Sequence, residues 1–217
     1  MARGTDFGGI HSYRDLHLLQ AVVEVQPAKP KTNFIDVPGA DGSKDFSESP
    51  AGRVVYETRE ITWTFKLYPG ENWADKYAQV SNAINGRSCK ITLDDDPNYY
   101  YQGRVSVDKH AVDGILHTIT VVAICQPYKL WQTLTTVSAS LTTAYKSLHL
   151  HNDRMHVVPM ISVTEATILL WQGNTFSIAP GTHKLLDILL VEGENHLQAK
   201  TTTGTGEISV SYQMGAL

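Results

Sequence analysis

Apolar and polar residues alternate along residues 61–67, and this period-two pattern limits what the chain can fold into. The apolar positions are Ile61, Trp63, Phe65 and Leu67, and the polar positions between them are Thr62, Thr64 and Lys66. Successive side chains of a strand point to opposite faces of a sheet, so the segment predicts a strand with one buried and one polar face. Residues 105–108 alternate in the same way. Residues 119–125 are apolar on both faces, which predicts a central strand.

A helical period appears once, over residues 73–86. The apolar residues on one helical stripe are Trp73, Tyr77, Val80 and Ile84. Asn72 is suited to cap the amino end, and Gly86 can take the left-handed conformation that ends a helix. We expect the stripe to pack against a sheet, with a partner-docking face as the alternative. The first part of the chain is therefore predicted to be β-rich with one helix.

Charge and hydropathy exclude several classes of protein. Charged residues make up 18% of the 217 residues and the net charge is −4, so no basic face for nucleic-acid phosphates is expected. No segment reaches the roughly 18 consecutive apolar residues of a membrane helix. Residues 1–6 lack the basic and apolar regions of a signal peptide, which disfavours secretion. Cys89 and Cys125 form no Cys-x-x-Cys motif and are expected to be reduced core thiols.

The composition changes after Lys129, where a stretch rich in Thr and Ser begins. We place a domain boundary there, which gives domains 1–130 and 131–217. Short strands are predicted in the second domain at residues 160–164, 166–171, 175–178, 185–191, 196–200 and 207–212. Gly-, Pro- and Asn-containing turns separate them, as in a small antiparallel sandwich. Gly204 to Gly206 are interpreted as a hairpin turn.

Residues 92–105 read TLDDDPNYYYQGRV, with strong turn residues set directly before a predicted strand over residues 99–107. This run resembles the "DDDP-YYY-GRV" segment of the distal tail (Dit) proteins of long-tailed bacteriophages. Further segments resemble the same family in order: the "PG-DG" hairpin tip at residues 37–42, a strand pair at 52–56 and 59–65, the single helix, and the domain junction at 126–129. The resemblance is specific over about the first 130 residues.

The resemblance implies a fold, a function and partners. The implied fold is mainly β: an N-terminal β-barrel-like or split-sheet ring domain with one helix, followed by a small galectin-like antiparallel β-sandwich. The implied function is structural, not enzymatic: a hexameric ring that joins the tail tube to the tail-tip host-recognition complex and leaves a lumen for DNA. Implied partners are further copies of the chain, the major tail tube protein, the tail-tip hub or tail-associated protein, and the tape measure protein. Such a protein is assembled in the host cytoplasm and ends in the virion, at the distal end of the tail.

The implied ring, taken together with the sequence patterns described above, predicts which residues face the lumen and which contact a neighbouring subunit. Thr62, Thr64 and Lys66 are expected to face the lumen, which must stay polar so that DNA can slide through. The hairpin tip is expected to be an intersubunit arm, because it carries little apolar area of its own. The residues assigned to this arm are Gly39, Ala40, Asp41 and Gly42.

Enzymatic, metal and sugar sites are weaker hypotheses. Asp94 to Asp96 are consecutive, so on an extended chain they cannot converge on one ion, and a solvated turn or subunit contact is expected. His149 and His151 share one strand face with His156 nearby, but no matching acid other than Asp153 is close in sequence, so no metal site is predicted. No hydrolase or phosphate-binding motif is present, and no catalytic or cofactor-binding residue is predicted. The alternative function is a carbohydrate-binding module in host-surface adhesion, with Trp171 and Asn174 as its contacts.

Overall fold

A computed structural model describes residues 3–113 and 116–217 of the chain. Met1 and Ala2, part of the N-terminal segment considered above, lie outside the described residues. The chain divides into two compact units, Met1–Lys129 and Leu130–Leu217. Within the described residues, no helix combines the length and apolar character needed to cross a bilayer.

The first unit contains a curled antiparallel sheet, one helix and a small hairpin. Its elements are β1 (Thr5–Phe7), β2 (Leu19–Val25), β3 (Phe34–Asp36), β4 (Ser43–Asp45), β5 (Arg59–Lys66), α1 (Trp73–Ile84), β6 (Ser88–Leu93), β7 (Tyr99–Asp113) and β8 (Leu116–Cys125). The sheet order is β1-β6-β7-β8-β5-β2, and β3 pairs only with β4. Strand β8 lies between β7 and β5, which confirms the central strand predicted from its apolar residues.

The alternation in β5 separates buried from outward-facing residues as predicted. Ile61, Trp63 and Phe65 are fully buried, and they share a core with Val80 and Ile84 of α1. Phe7, Leu16 and Leu18 of the N-terminal segment complete this core. The indole of Trp63 meets the ring of Phe7 edge-on at 5.0 Å, and its Nε1–H donates to Thr5 Oγ1. One face of the sheet is thus covered by the helix and the N-terminal segment.

Helix α1 begins and ends as its sequence predicts. The Asn72 side chain accepts a hydrogen bond from Ala74 N at 3.0 Å, and Gly86 after the helix has a φ of 76°. The predicted stripe is correct for Val80 and Ile84 but wrong for Trp73, whose side chain is 43% exposed. Trp73 instead stacks on His110 of β7, with ring centroids 4.3 Å apart. The first residue of a helix lies at its end, so its side chain can leave the core face.

The second unit is an antiparallel sandwich, as predicted. Its elements, counted from the strand that crosses the unit boundary, are β9 (Lys129–Trp131), β10 (Thr135–Leu141), β11 (Lys146–Asn152), β12 (Met160–Val163), β13 (Thr167–Trp171), β14 (Asn174–Ile178), β15 (Gly181–His183), β16 (Gly193–Thr201), β17 (Gly206–Tyr212) and β18 (Gly215–Ala216). One sheet has the order β10-β17-β12-β15 and the other β11-β16-β13-β14. Inward-facing residues of both sheets form one buried cluster, which includes Leu150, Ile161, Leu169 and Val210.

Three local predictions are wrong. Residues 52–56 do not form the predicted strand paired with β5, whose neighbours are β2 and β8; Tyr56 lies in an isolated bridge to Pro30. Residues 185–191 contain turns and one bridge residue, Leu190. Residues 204–206 are not a hairpin turn, because they connect β16 of one sheet to β17 of the other. For residues 52–56 the places beside β5 are taken by β2 and β8, and for residues 204–206 the chain passes from one sheet to the other, which local sequence does not reveal.

Strand β10 was missed because its sequence is polar, and β11 was recognised only as the strand face shared by His149 and His151. Strand β10 lies in the Thr- and Ser-rich region that begins after Lys129, and β11 follows it. Their exposed faces carry Ser, Thr and His, and their inward positions alternate with these, for example Leu148 and Leu150 in β11. A strand with a strongly polar outer face shows only half of its residues as apolar, so composition alone indicates a loop.

Candidate assembly surface

The face of the first sheet opposite the core is a continuous surface, which we call the outer face. Hydrogen-bonded register aligns its residues in rows across the strands. One row is Val22, Thr64, Thr120 and Lys109; the next is Glu24, Thr62, Val122 and Ser106; a third is Glu60, Ile124 and Arg104. The row residues include both acids and bases, so they form no continuous basic strip. The outer face is therefore moderately polar, with Val22 and Ile124 about half exposed.

The residues predicted to face a lumen lie on this outer face. Thr62 and Thr64 are half-buried between neighbouring strands, and Lys66 is exposed at the end of β5. They point away from Trp63 and Phe65, which are fully buried in the core. The structure thus places all three on one side of the sheet, and their orientation toward a lumen stays a prediction.

Strand β2 forms one edge of the sheet. Its only neighbour in the described sheet is β5, so the backbone along its second side has no strand partner there. Edge strands of this kind can pair with another chain, and proteins normally cover or modify them. The edge of β2 lies beside the outer-face row that begins with Val22.

The hairpin formed by β3 and β4, together with its flanking residues, is an exposed arm. Its tip contains the predicted arm residues Gly39, Ala40, Asp41 and Gly42. The Ala40 N–H donates to Val37 O at 3.1 Å, and Gly39 and Gly42 adopt positive φ angles that suit this turn. Four large apolar side chains of the arm are exposed: Phe34, Ile35, Val37 and Phe46. The sequence prediction considered only the polar tip and missed this apolar base.

The acidic turn of residues 94–96 joins three different parts of the first unit. Asp94 Oδ2 accepts from Gly4 N at 2.8 Å and lies 3.2 Å from His11 Nε2. Asp95 pairs with Arg3. Asp96 accepts from Lys129 Nζ at 2.7 Å, next to the ring of Tyr99.

These contacts explain why the three acids do not form a metal site. Each carboxylate points to its own partner, as expected for consecutive residues. His11 is buried, and its Nδ1 accepts from Tyr13 N and Arg14 N, which leaves Nε2–H to donate to Asp94. Burial lowers the pKa of Lys129, but the hydrogen bond and charge of Asp96 more than reverse this and leave it raised. The turn therefore connects separate segments of the first unit through side-chain hydrogen bonds and ion pairs, and is not only a solvated loop.

Both cysteines are free thiols, and neither is set up for reactivity. Cys125 is buried, and burial raises its pKa to about 12. Burial also raises the pKa of Cys89, with the charge of Asp6 as a smaller cause. A thiol nucleophile needs a lowered pKa, so these residues belong to the packing of the sheet.

The predicted sugar contacts of the second unit are not available as a binding site. Trp171 is only 3% exposed and belongs to the sandwich core, so its ring cannot stack on a sugar. The charged residues of the nearby turns do not converge: Glu192 pairs with Arg154, Glu194 pairs with His151, and the His183 ring bonds Ala179 O.

An open cleft of about 630 Å³ does occur on the other sheet of the second unit, lined by small hydroxyl residues such as Ser138, Ser162 and Ser209. None of its lining residues is aromatic. A sugar site needs an exposed aromatic face with converging hydrogen-bonding groups, so this cleft lacks the aromatic part.

No metal centre is assembled by the side chains as they stand. Across residues 3–113 and 116–217, no three His, Cys, Asp or Glu side chains surround a common ion position. His149 and His151 do share the exposed face of β11, as predicted, and His156 lies in the loop that follows.

Comparisons with known proteins identify the fold. No protein-family model and no curated protein matches the sequence. The structure, however, matches the crystal structure of Dit (gp 19.1) of phage SPP1, described as a paradigm of the hub adsorption apparatus in phages that infect Gram-positive bacteria. The TM-score is 0.68 at 18% identity, and the match covers 99% of this chain and 100% of the other.

The chain has the Dit fold. The resemblance read from the turn, hairpin and helix motifs is confirmed at the level of the fold, and so is the mainly β class with one helix. The Dit fold spans the first and the second unit alike, although the sequence motifs were specific only in the first.

Proposed function

We propose that this protein is a structural component of a phage tail, a non-enzymatic adaptor at its distal end. The observation that supports this most is the Dit fold over the full length of both chains, at a TM-score of 0.68. The thiols and acids that could suggest catalysis are engaged in packing or in ion pairs within the first unit. The proposed location is the virion, after assembly in the host cytoplasm.

The proposed assembly is a hexameric ring of the domain 1–130, with the sandwich 131–217 as its second domain. A cyclic ring repeats one heterologous interface until it closes, so each subunit must present two different complementary surfaces. We propose that these two surfaces are the free edge of β2 and the apolar arm of the first unit. Closure would cover an edge that otherwise invites uncontrolled pairing.

The proposed lumen surface is the outer face with Thr62, Thr64 and Lys66. Its small hydroxyl side chains and mixed charges suit passage of DNA, because a basic lining would bind phosphates. The ring would connect the major tail tube protein to the tail-tip hub or tail-associated protein, and the tape measure protein is a further proposed partner. No sequence-specific nucleic-acid binding is proposed.

The oligomeric state tests this proposal directly. We expect size-exclusion chromatography with light scattering to give a species of about six times the 24.0 kDa chain mass, and electron microscopy to show a ring with a central opening. A strictly monomeric protein, also after mixing with a tail tube protein from the same phage, would contradict the proposal.

A pair of variants tests whether the arm forms the interface. Replacing Phe34 and Ile35 together by Ser should reduce the ring fraction, because these exposed side chains would lose apolar contact with the next copy. The matched control is Leu186→Ser, which removes an exposed apolar side chain of the second unit and should leave the ring intact. Equal ring fractions in all three proteins would exclude the arm.

A further inference from the structure

Strand pairing in the second unit brings together ligating side chains that are far apart in sequence. Strand β11 pairs with β16 so that His149 lies opposite His196, and His151 lies opposite Glu194. All four side chains are exposed on the same outward face, since Leu148, Leu150 and Leu197 between them point into the core. The four residues form one patch, which we call the histidine patch.

The dimensions of the patch suit a single ion. Opposite residues on an antiparallel pair have Cβ atoms about 5 Å apart, and residues two apart on one strand are about 7 Å apart. The centre of such a rectangle is about 4 Å from each corner. Imidazole and carboxylate side chains reach that far, and Zn–N bonds need only about 2.1 Å.

The ligand chemistry is that of a borderline transition metal. Imidazole nitrogens and carboxylate oxygens are both Zn²⁺ ligands, and imidazole also binds Cu²⁺ and Ni²⁺. The rings of His149 and His196 are already in contact, edge to face, with centroids 4.7 Å apart. His151 Nδ1 lies 3.0 Å from Glu194 Oε1, and its Nε2 lies 3.9 Å from Asp153 Oδ1.

Ligation requires only side-chain rotation. At present His151 turns its two nitrogens toward carboxylates, so the patch does not surround one point. The His151 and Glu194 side chains are 62% and 56% exposed, and exposed ion pairs contribute little free energy. A bound metal replaces these weak contacts without moving the backbone of either strand.

We propose that His149, His151, His196 and Glu194 bind one Zn²⁺-class ion that fastens β11 to β16. Strand β11 is an edge strand of its sheet, so a metal bridge to β16 would hold that edge in place. The metal binds the folded state, in which the register exists, and therefore raises the unfolding temperature of the protein by an amount that grows with the free metal concentration relative to Kd.

Calorimetric titration of ZnSO₄ into the full, untagged chain tests the site. We expect saturable binding of one ion, lost or weakened at least about tenfold in His196→Gln and in His149→Gln. Zn²⁺ should raise the melting temperature of the wild type and not that of His196→Gln. Both variants change exposed side chains, so their melting temperatures without metal should match the wild type.

The control is a second histidine pair in the first unit. His110 Nε2 and His117 Nδ1 lie 3.0 Å apart and could hold an ion by themselves. His117→Gln should retain the one-ion isotherm if the histidine patch is the site. Absence of saturable binding in the wild type, or binding that persists in His196→Gln and His149→Gln, would overturn the proposal.

Discussion

The two units of this chain use β-sheets in different ways. In the second unit, two four-stranded sheets cover each other's apolar faces and close the core between them. In the first unit, a single curled sheet is covered on one face by α1 and the N-terminal segment, while its outer face and the edge of β2 have no cover within the described residues of that unit. The arm with Phe34 and Ile35 adds exposed apolar area to the first unit.

This difference indicates where assembly is expected to take place. A closed sandwich satisfies its own apolar faces, whereas an open sheet with a free edge and an apolar arm gains stability from another chain. We therefore expect changes in the first unit to affect oligomerisation and changes in the second unit to affect only its own stability. The following predictions test that contrast, from the largest expected effect to the smallest.

Trp63→Ala should be the most damaging change. The side chain is fully buried, touches Phe7 and donates to Thr5 Oγ1, so its removal leaves a large cavity and deletes a buried hydrogen bond. We expect a loss of about 3–5 kcal/mol in the free energy of unfolding, measured by urea titration. Asp95→Ala removes only an exposed ion pair with Arg3 and should cost less than about 1 kcal/mol. Equal losses in the two variants would contradict the assignment of Trp63 to the core.

Alkaline pH should weaken the first unit through Cys125. Burial raises the pKa of this thiol from 9.0 to about 12, so between these values the unfolded chain releases a proton that the folded chain retains. The stabilisation is complete below pH 9 and is lost as the pH rises, by about 1.4 kcal/mol per pH unit. Cys125→Ala removes this titration, so its unfolding free energy should fall less over the same range. Parallel pH profiles of the two proteins would contradict the burial of the thiol.

Gly103→Ala should disturb the centre of the first sheet. A Cβ at this position would lie 2.5 Å from Cys125 Sγ and 2.8 Å from Ile124 O, so neighbouring strands would have to separate. We expect a loss of about 1–3 kcal/mol by chemical denaturation. Ser106→Ala, on the outer face of the same strand, is the matched control and should stay within about 0.5 kcal/mol of the wild type.

Deletion of residues 40–44 should reduce ring assembly without changing the stability of the subunit. These residues are exposed at the tip of the arm, so the melting temperature of the isolated subunit should change little. The fraction of ring measured by light scattering should fall. Normal ring formation by the deleted chain would remove the arm from the interface and weaken the contrast between the units.

The smallest expected effect is the response of the second unit to sugars. Trp171 is buried and the hydroxyl-lined cleft has no aromatic residue, so we expect no binding above background on a broad glycan array or by calorimetry with host cell-wall fragments. Saturable glycan binding that is lost in Ser162→Phe, which would block the cleft, would give the second unit a recognition function that its closed architecture does not predict.

Sequence patterns predicted the structure correctly where the residues that determine it lie within one segment. The period of residues 61–67, the Asn72 cap and the Gly86 end of α1 depend on local chemistry, and the structure confirms them. Sequence patterns predicted strands less well where the outcome depends on pairing with a strand from a distant segment. Residues 52–56 resemble a strand but have no strand neighbour, and β10 was missed because most of its residues are Ser or Thr.

The sequence by itself determined the mainly β class, the position of the helix and the alternation that divides core from outer face, because these follow from residue order within one segment. Only the tertiary structure decided which side chains meet across strands. It placed Asp94 against His11, buried Trp171, and set His196 opposite His149. Strand register is a property of two distant segments together, and a shift of one residue would turn His149, His196 or Trp171 to the other face of its sheet.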